Sequence, residues 1–182
     1  MSQPVVLDAC VLANMGVCDL LLRLAESPPA FAPRWSEQIL EETMRVQVER
    51  FGWPQDLADY WRSEVLRHFS EATVRELDSL LPRLTNHEKD RHVLAAAIEG
   101  GAKVIVTFNL KDFPATALDP WQIRAVHPQD FLLDLYRENP VSIIGRIESI
   151  ARKHKSEMQD VIIHLGRTLP AFAAKLLQDL GD

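Results

Sequence analysis

The sequence predicts an α/β fold, a three-layer α/β/α sandwich around a central parallel sheet, on three observations. Pro4-Val5-Val6-Leu7 and Lys103-Val104-Ile105-Val106-Thr107-Phe108 are short apolar runs of the kind found in buried parallel strands, and the second is rich in β-branched residues. The apolar helical stretch Val93-Leu94-Ala95-Ala96-Ala97-Ile98, the stop at Gly100-Gly101 and the second run form half of a βαβ unit. From Pro140 onward no strand-like run remains, so the division expected is an α/β domain over 1–138 and a C-terminal helical extension over 139–182.

The elements follow in chain order. The run at residues 4–7 reads as a central strand ending on Asp8, and Leu20, Leu21, Leu22 and Leu24 read as a short helix halted near Pro28-Pro29. Phe31-Ala32 reads as a second strand. Ser36 is a helix N-cap with acidic Glu37 in the first turn, and Ile39, Leu40, Thr43 and Val46 give that helix an apolar stripe. A further helix is expected after Pro54, and another between Glu71 and Leu81. Asn86-His87-Glu88-Lys89-Asp90 opens the helix that ends at Gly100-Gly101, and Ile123–Val126 reads as the last strand. His127-Pro128 then leads into a helix over Gln129–Tyr136. The extension reads as helices over about 141–154, 158–169 and 170–180, each with an apolar stripe: Val141, Ile143, Ile144, Ile147 and Ile150; Val161, Ile162, Leu165 and Leu169; Phe172, Leu176, Leu177 and Leu180.

The bulk numbers narrow the function classes. A 182-residue chain that is 47% hydrophobic and 25% charged is ordinary globular composition. No apolar stretch approaches the ~20 residues of a spanning helix, and MSQPVVLDAC lacks the basic region of a signal peptide, so a cytoplasmic protein without a membrane partner is expected. Cys10 and Cys18 make no crosslinking framework, and with His87, His92 and His127 they show no zinc spacing. The net charge of −6 counts against a sequence-specific DNA binder. It counts less against a metal-dependent nuclease, whose ion offers phosphate a local positive centre.

Chemistry is expected at one edge of the sheet. Ligands of open parallel sheets bind at the carboxyl ends of the strands. Asp8 follows the first strand directly, and Thr107, Asn109 and Asp112 follow the later one. Asp90 opens the helix preceding that strand, and Glu42 lies one turn inside the helix capped by Ser36, with Glu41 as its competitor. Four carboxylates with few cations beside them repel one another, and a hard cation is the natural means of holding them ionised.

The segments Val-Val-Leu-Asp8-Ala-Cys-Val-Leu, Ser36-Glu-Gln-Ile-Leu-Glu-Glu42, Asp90-Arg-His-Val-Leu-Ala-Ala-Ala and Val-Thr107-Phe-Asn109-Leu-Lys-Asp112-Phe together resemble the PIN-domain family, in particular its VapC-like toxin branch, over roughly residues 4–137. The resemblance implies a PIN fold, Mg²⁺ or Mn²⁺ as cofactor, endonucleolytic cleavage of RNA, a cognate antitoxin protein as partner, and a homodimer in many members. It places Asp8, Glu42, Asp90 and Asp112 as metal ligands, with Thr107 and Asn109 holding ligands or water by hydrogen bonds. Two departures stand out: Cys10 occupies a place often held by a small polar residue, and Asn109 stands where the family carries Asp in some members. Whether Asn109 or Asp112 is the ligand of the fourth segment is left open.

Two rival readings have specific predictions. A haloacid-dehalogenase-like phosphatase also begins with an apolar strand ending in Asp, but needs a second Asp two residues on, where this chain has Cys10. A non-catalytic PIN-fold binding module would have an incomplete acidic set, whereas all four candidate acids are present.

Overall fold

The computed structural model of the protein describes residues 2–75 and 77–181. It begins with strand β1 (Pro4–Leu7), the short helix α1 (Ala9–Leu12) and α2 (Met15–Ala25). Strand β2 (Ala32–Ser36) leads into α3 (Glu37–Glu49), followed by α4 (Gln55–His68), strand β3 (Thr73–Val74), α5 (Arg91–Glu99) and strand β4 (Val104–Val106). Next come α6 (Ala115–Leu118), strand β5 (Arg124–Val126) and α7 (Pro128–Glu138), then α8 (Pro140–His154), α9 (Met158–Gly166) and α10 (Pro170–Gly181).

The five strands form one parallel sheet in the order β3-β2-β1-β4-β5. β1 is central because Val5, Val6 and Leu7 are all buried, and a strand without a polar face must have partners on both sides. From β1 the chain winds outward to β2 and β3, then returns across the sheet to β4 and β5. The direction of winding therefore reverses between β1 and β4, and the carboxyl edge there is where a crevice opens in doubly wound folds. This is the expected α/β/α sandwich. Trp35, Ile39, Leu40, Leu94 and Ile105 are fully or almost fully buried within its core, each such side chain contributing on the order of 1.5–3 kcal/mol from burial.

Three local expectations need correction. The helix expected between Glu71 and Leu81 is absent from the described residues of that stretch: Thr73 and Val74 pair with Trp35 and Ser36 as the edge strand, and only a 3-10 turn forms at Leu81–Arg83. Helix-favouring composition yields here to the need of β2 for a backbone partner, seen in the Trp35 N–H donating to Ala72 O at 3.1 Å. The second strand runs to Ser36, past Pro33, which pairs with Val5. Pro33 shares the parity of Trp35, so its missing N–H falls on the β3 side, where β3 does not extend. In the extension, Val141 is 82% exposed and lies off the buried stripe, and Leu180 is also exposed.

The helices after Pro140 pack on α2 and α7 and on one another. Ile143, Ile147, Ile162, Leu165, Leu169, Phe172 and Leu176 join the same hydrophobic cluster as the sheet residues. Asn139 caps α8 through its side-chain oxygen, which accepts from Ser142 N at 3.1 Å, and a capping box of Glu157 and Asp160 starts α9. Gln129 Oε1 accepts from Ala171 N at 2.8 Å, fixing the start of α10 to α7. No helix among the described residues is long and apolar enough to cross a membrane.

Candidate active site

The carboxyl ends of β1 and β4 are joined through side chains. Asp8 is only 4% exposed, the one carboxylate among the buried described residues. Its Oδ1 accepts the Ala9 N–H at 2.7 Å and so caps α1. Its Oδ2 accepts from Thr107 Oγ1 at 2.6 Å and from Cys10 Sγ at 3.3 Å. Burial raises the Asp8 carboxyl above the usual range; the bonds from Thr107, Cys10 and Ala9 oppose this, and the charge of Glu42 adds to it. Thr107, fully buried, also accepts the Asn109 N–H at 3.0 Å, so one hydroxyl ties the β4 exit loop to the β1 carboxylate. Cys10 takes part in the same knot, with its sulfur 3.4 Å from the Phe108 N–H that donates to it. Burial, then the charge of Asp8, pushes the Cys10 thiol up to about 12, so at neutral pH it is a thiol rather than a soft thiolate ligand.

Glu42 and Asp90 approach from the two helices beyond β1. Glu42 is half-buried on α3, while its neighbour Glu41 is exposed. Glu42 Oε2 lies 3.4 Å from Nε2 of buried His92. That ring holds the Glu42 carboxyl below the usual range, with the charge of Arg45 a smaller aid against partial burial. Asp90 sits at the junction of a 3-10 turn and α5, its Oδ2 3.5 Å from His87 Nδ1. Burial raises the Asp90 carboxyl, and the charges of Asp8, Asp112 and Glu42 raise it further, outweighing His87. The other three expected acids thus lie within electrostatic reach of Asp90.

Asp112 ends a 3-10 turn after β4 and is half-buried, whereas Asn109 is exposed and only its backbone N–H is engaged with the site. Among the described residues, none of the four acids pairs with a Lys or Arg. Hard oxygen donors, mutual repulsion and no Lys or Arg in ion-pair contact suit a hard divalent ion such as Mg²⁺ or Mn²⁺. No group of three or more His, Cys, Asp or Glu among the described residues already has the arrangement of an ion cage. Three of the four acids have a close polar neighbour: Asp8 has Thr107 and Cys10, Glu42 has His92, and Asp90 has His87.

Two participants escaped sequence reasoning. His92 was set aside for want of zinc spacing, although a histidine inside the apolar run after Asp90 was itself a signal of a buried polar contact. Cys10 read only as a departure from a family pattern, and its bonds to Asp8 and Thr107 depend on a strand pairing that spacing cannot reveal.

No protein-family model matches the chain. A curated Mycobacterium tuberculosis protein, named "Putative ribonuclease VapC50", is 39% identical to it over 132 residues, covering 69% of this chain and 78% of the relative.

Proposed function

Because the chain belongs to the VapC-like branch of the PIN-domain family, we propose that it is a metal-dependent endoribonuclease and the toxin of a toxin–antitoxin pair, with Asp8, Glu42, Asp90 and Asp112 as its Mg²⁺ or Mn²⁺ ligands. The observation that carries the metal site is that Asp8 at the end of β1, Glu42 on α3, Asp90 at the start of α5 and Asp112 after β4 have no Lys or Arg ion-pair partner among the described residues. Burial, then the charges of Asp8, Asp112 and Glu42, accordingly raises the Asp90 carboxyl. Family membership supports RNA as substrate and an antitoxin protein as partner.

When bound, the ion supplies Lewis acidity at the scissile phosphate and activates water as the nucleophile. The chain's own residues do the rest. Thr107 and Cys10 hold Asp8 in one rotamer by donating to Oδ2, and Oδ1, which accepts only the Ala9 N–H, keeps a lone pair for a ligand. Asn109 stands at the rim of the site, where its exposed amide is available to water or to the RNA backbone. Arg45, Lys89 and Lys111 are exposed on the surrounding elements and give phosphate a local attraction that the net charge of the chain does not. Attack by water on the phosphodiester gives a 5′-phosphate and a 3′-hydroxyl.

RNA incubated with the purified chain, with and without Mg²⁺ or Mn²⁺, tests the activity: cleavage only with the ion is expected, and equal cleavage in chelator would refute it. Growth arrest on expression of wild type but not of Asp8→Asn, at matched protein levels, tests the toxin assignment separately.

A further inference from the structure

We propose that His92 is a positioning residue for Glu42, its Nε2–H fixing the carboxylate in the rotamer from which it joins the metal site; this rests on the metal-dependent reading of that site. His92 is 3% exposed, on the second residue of α5, and two residues after Asp90. Its Nε2 lies 3.4 Å from Glu42 Oε2, and neither ring nitrogen has an aligned hydrogen-bond partner. A buried ring nitrogen with no partner is costly, so a residue needed only for packing would be better served there by an apolar side chain. Glu42, itself half-buried on α3, is the carboxylate that faces the ring. The 3.4 Å approach is just beyond ordinary hydrogen-bond length, and Glu42 Oε2 is the carboxylate oxygen in ion-pair range of the ring.

The contact also joins two elements of the site. Glu42 reaches the acids from α3, and Asp90 reaches them from the start of α5. With His92 on the same helix as Asp90 and against Glu42, the spacing of those two carboxylates is set by a packed ring rather than by exposed side chains. The histidine beside Asp90, His87, is 55% exposed and cannot act as such a spacer. Among metal sites in general, groups that orient ligands in this way are worth about 10–100-fold in affinity.

Two substitutions separate the donor from the packing. His92→Gln keeps an N–H near the Nε2 position, and His92→Phe keeps the ring volume without a donor. The measurements are apo thermal stability, Mn²⁺ affinity by electron paramagnetic resonance, and kcat and KM for RNA cleavage. For a folded His92→Phe, Mn²⁺ affinity and kcat should each fall by about 10-fold or more with KM for RNA held, and His92→Gln should recover most of both. A folded His92→Phe with wild-type Mn²⁺ affinity overturns the positioning role while leaving the metal site standing. Absence of Mn²⁺ binding by wild type would instead overturn the metal reading and this inference with it. Independently of any variant's folding, ring ¹⁵N–¹H correlation spectra of the metal-free wild type should show His92 protonated at Nε2, and a ring protonated at Nδ1 alone overturns the assignment.

Discussion

Thr107 Oγ1 donates to Asp8 Oδ2 at 2.6 Å, joining residues 99 positions apart at the carboxyl ends of two paired strands. The bond lies where the sheet's winding reverses, so the contact that secures the central acid also ties together the two strands on either side of that reversal.

Thr107→Val tests that contact. Valine matches the shape but leaves Asp8 Oδ2 short of a donor and the Asn109 N–H without its acceptor. A loss of about 1–3 kcal/mol is expected in urea unfolding. Divalent-ion binding should weaken too, because the bond favours the ionised form of Asp8. An unchanged unfolding midpoint would show that the hydroxyl carries no such burden.

Asp90→Asn should raise the thermal stability of the metal-free protein. The folded-state pKa of Asp90 lies above its unfolded value, raised by burial and by Asp8, Asp112 and Glu42. Its favourable contribution is therefore complete below the unfolded pKa of about 3.9 and is lost as pH rises through the folded one. The variant's advantage should be present at pH 7 and vanish toward pH 3 in scanning fluorimetry. Metal ions should stabilise wild type more than Asp90→Asn. A variant less stable than wild type at pH 7 would contradict the crowding of charge.

Glu42→Gln should cut RNA at least about 10-fold more slowly than wild type, and Glu41→Gln at nearly the wild-type rate. The two neighbours differ in placement: Glu42 is half-buried against His92, and Glu41 is exposed. The reverse order of effects would place the site on the wrong face of α3.

Phe172→Ala asks how far the C-terminal helices belong to the core. Phe172 is fully buried at the junction of α10 with the cluster that includes the sheet. A loss of about 3–5 kcal/mol is expected in chemical denaturation. A loss under about 1 kcal/mol would mean that α10 is held mainly by its polar ties, such as Tyr136 Oη donating to Asp179 at 2.9 Å.

What was legible in the sequence follows from what each signal costs. A carboxylate directly after Val5-Val6-Leu7 is expensive to bury, so Asp8 announced itself, and the apolar body of α5 with its Gly-Gly stop marked the crossover to β4. Glu42 was separable from Glu41 only by helix phase, and of the two it is Glu42 that is half-buried against His92. The edge strand at Thr73–Val74 was hidden because two residues carry no periodicity and their neighbours favour helix. The His92–Glu42 contact was hidden for a different reason: it joins two helices whose relative rotation no local pattern encodes.

The most direct test of the metal-dependent nuclease is end-group analysis of a 5′-labelled RNA treated with wild type or Asp8→Asn, in Mg²⁺, in Mn²⁺ and in chelator. The account expects wild-type cleavage only with a divalent ion, leaving 5′-phosphate and 3′-hydroxyl ends, and none from Asp8→Asn. Cleavage by wild type in chelator, or by Asp8→Asn at the wild-type rate, would contradict it.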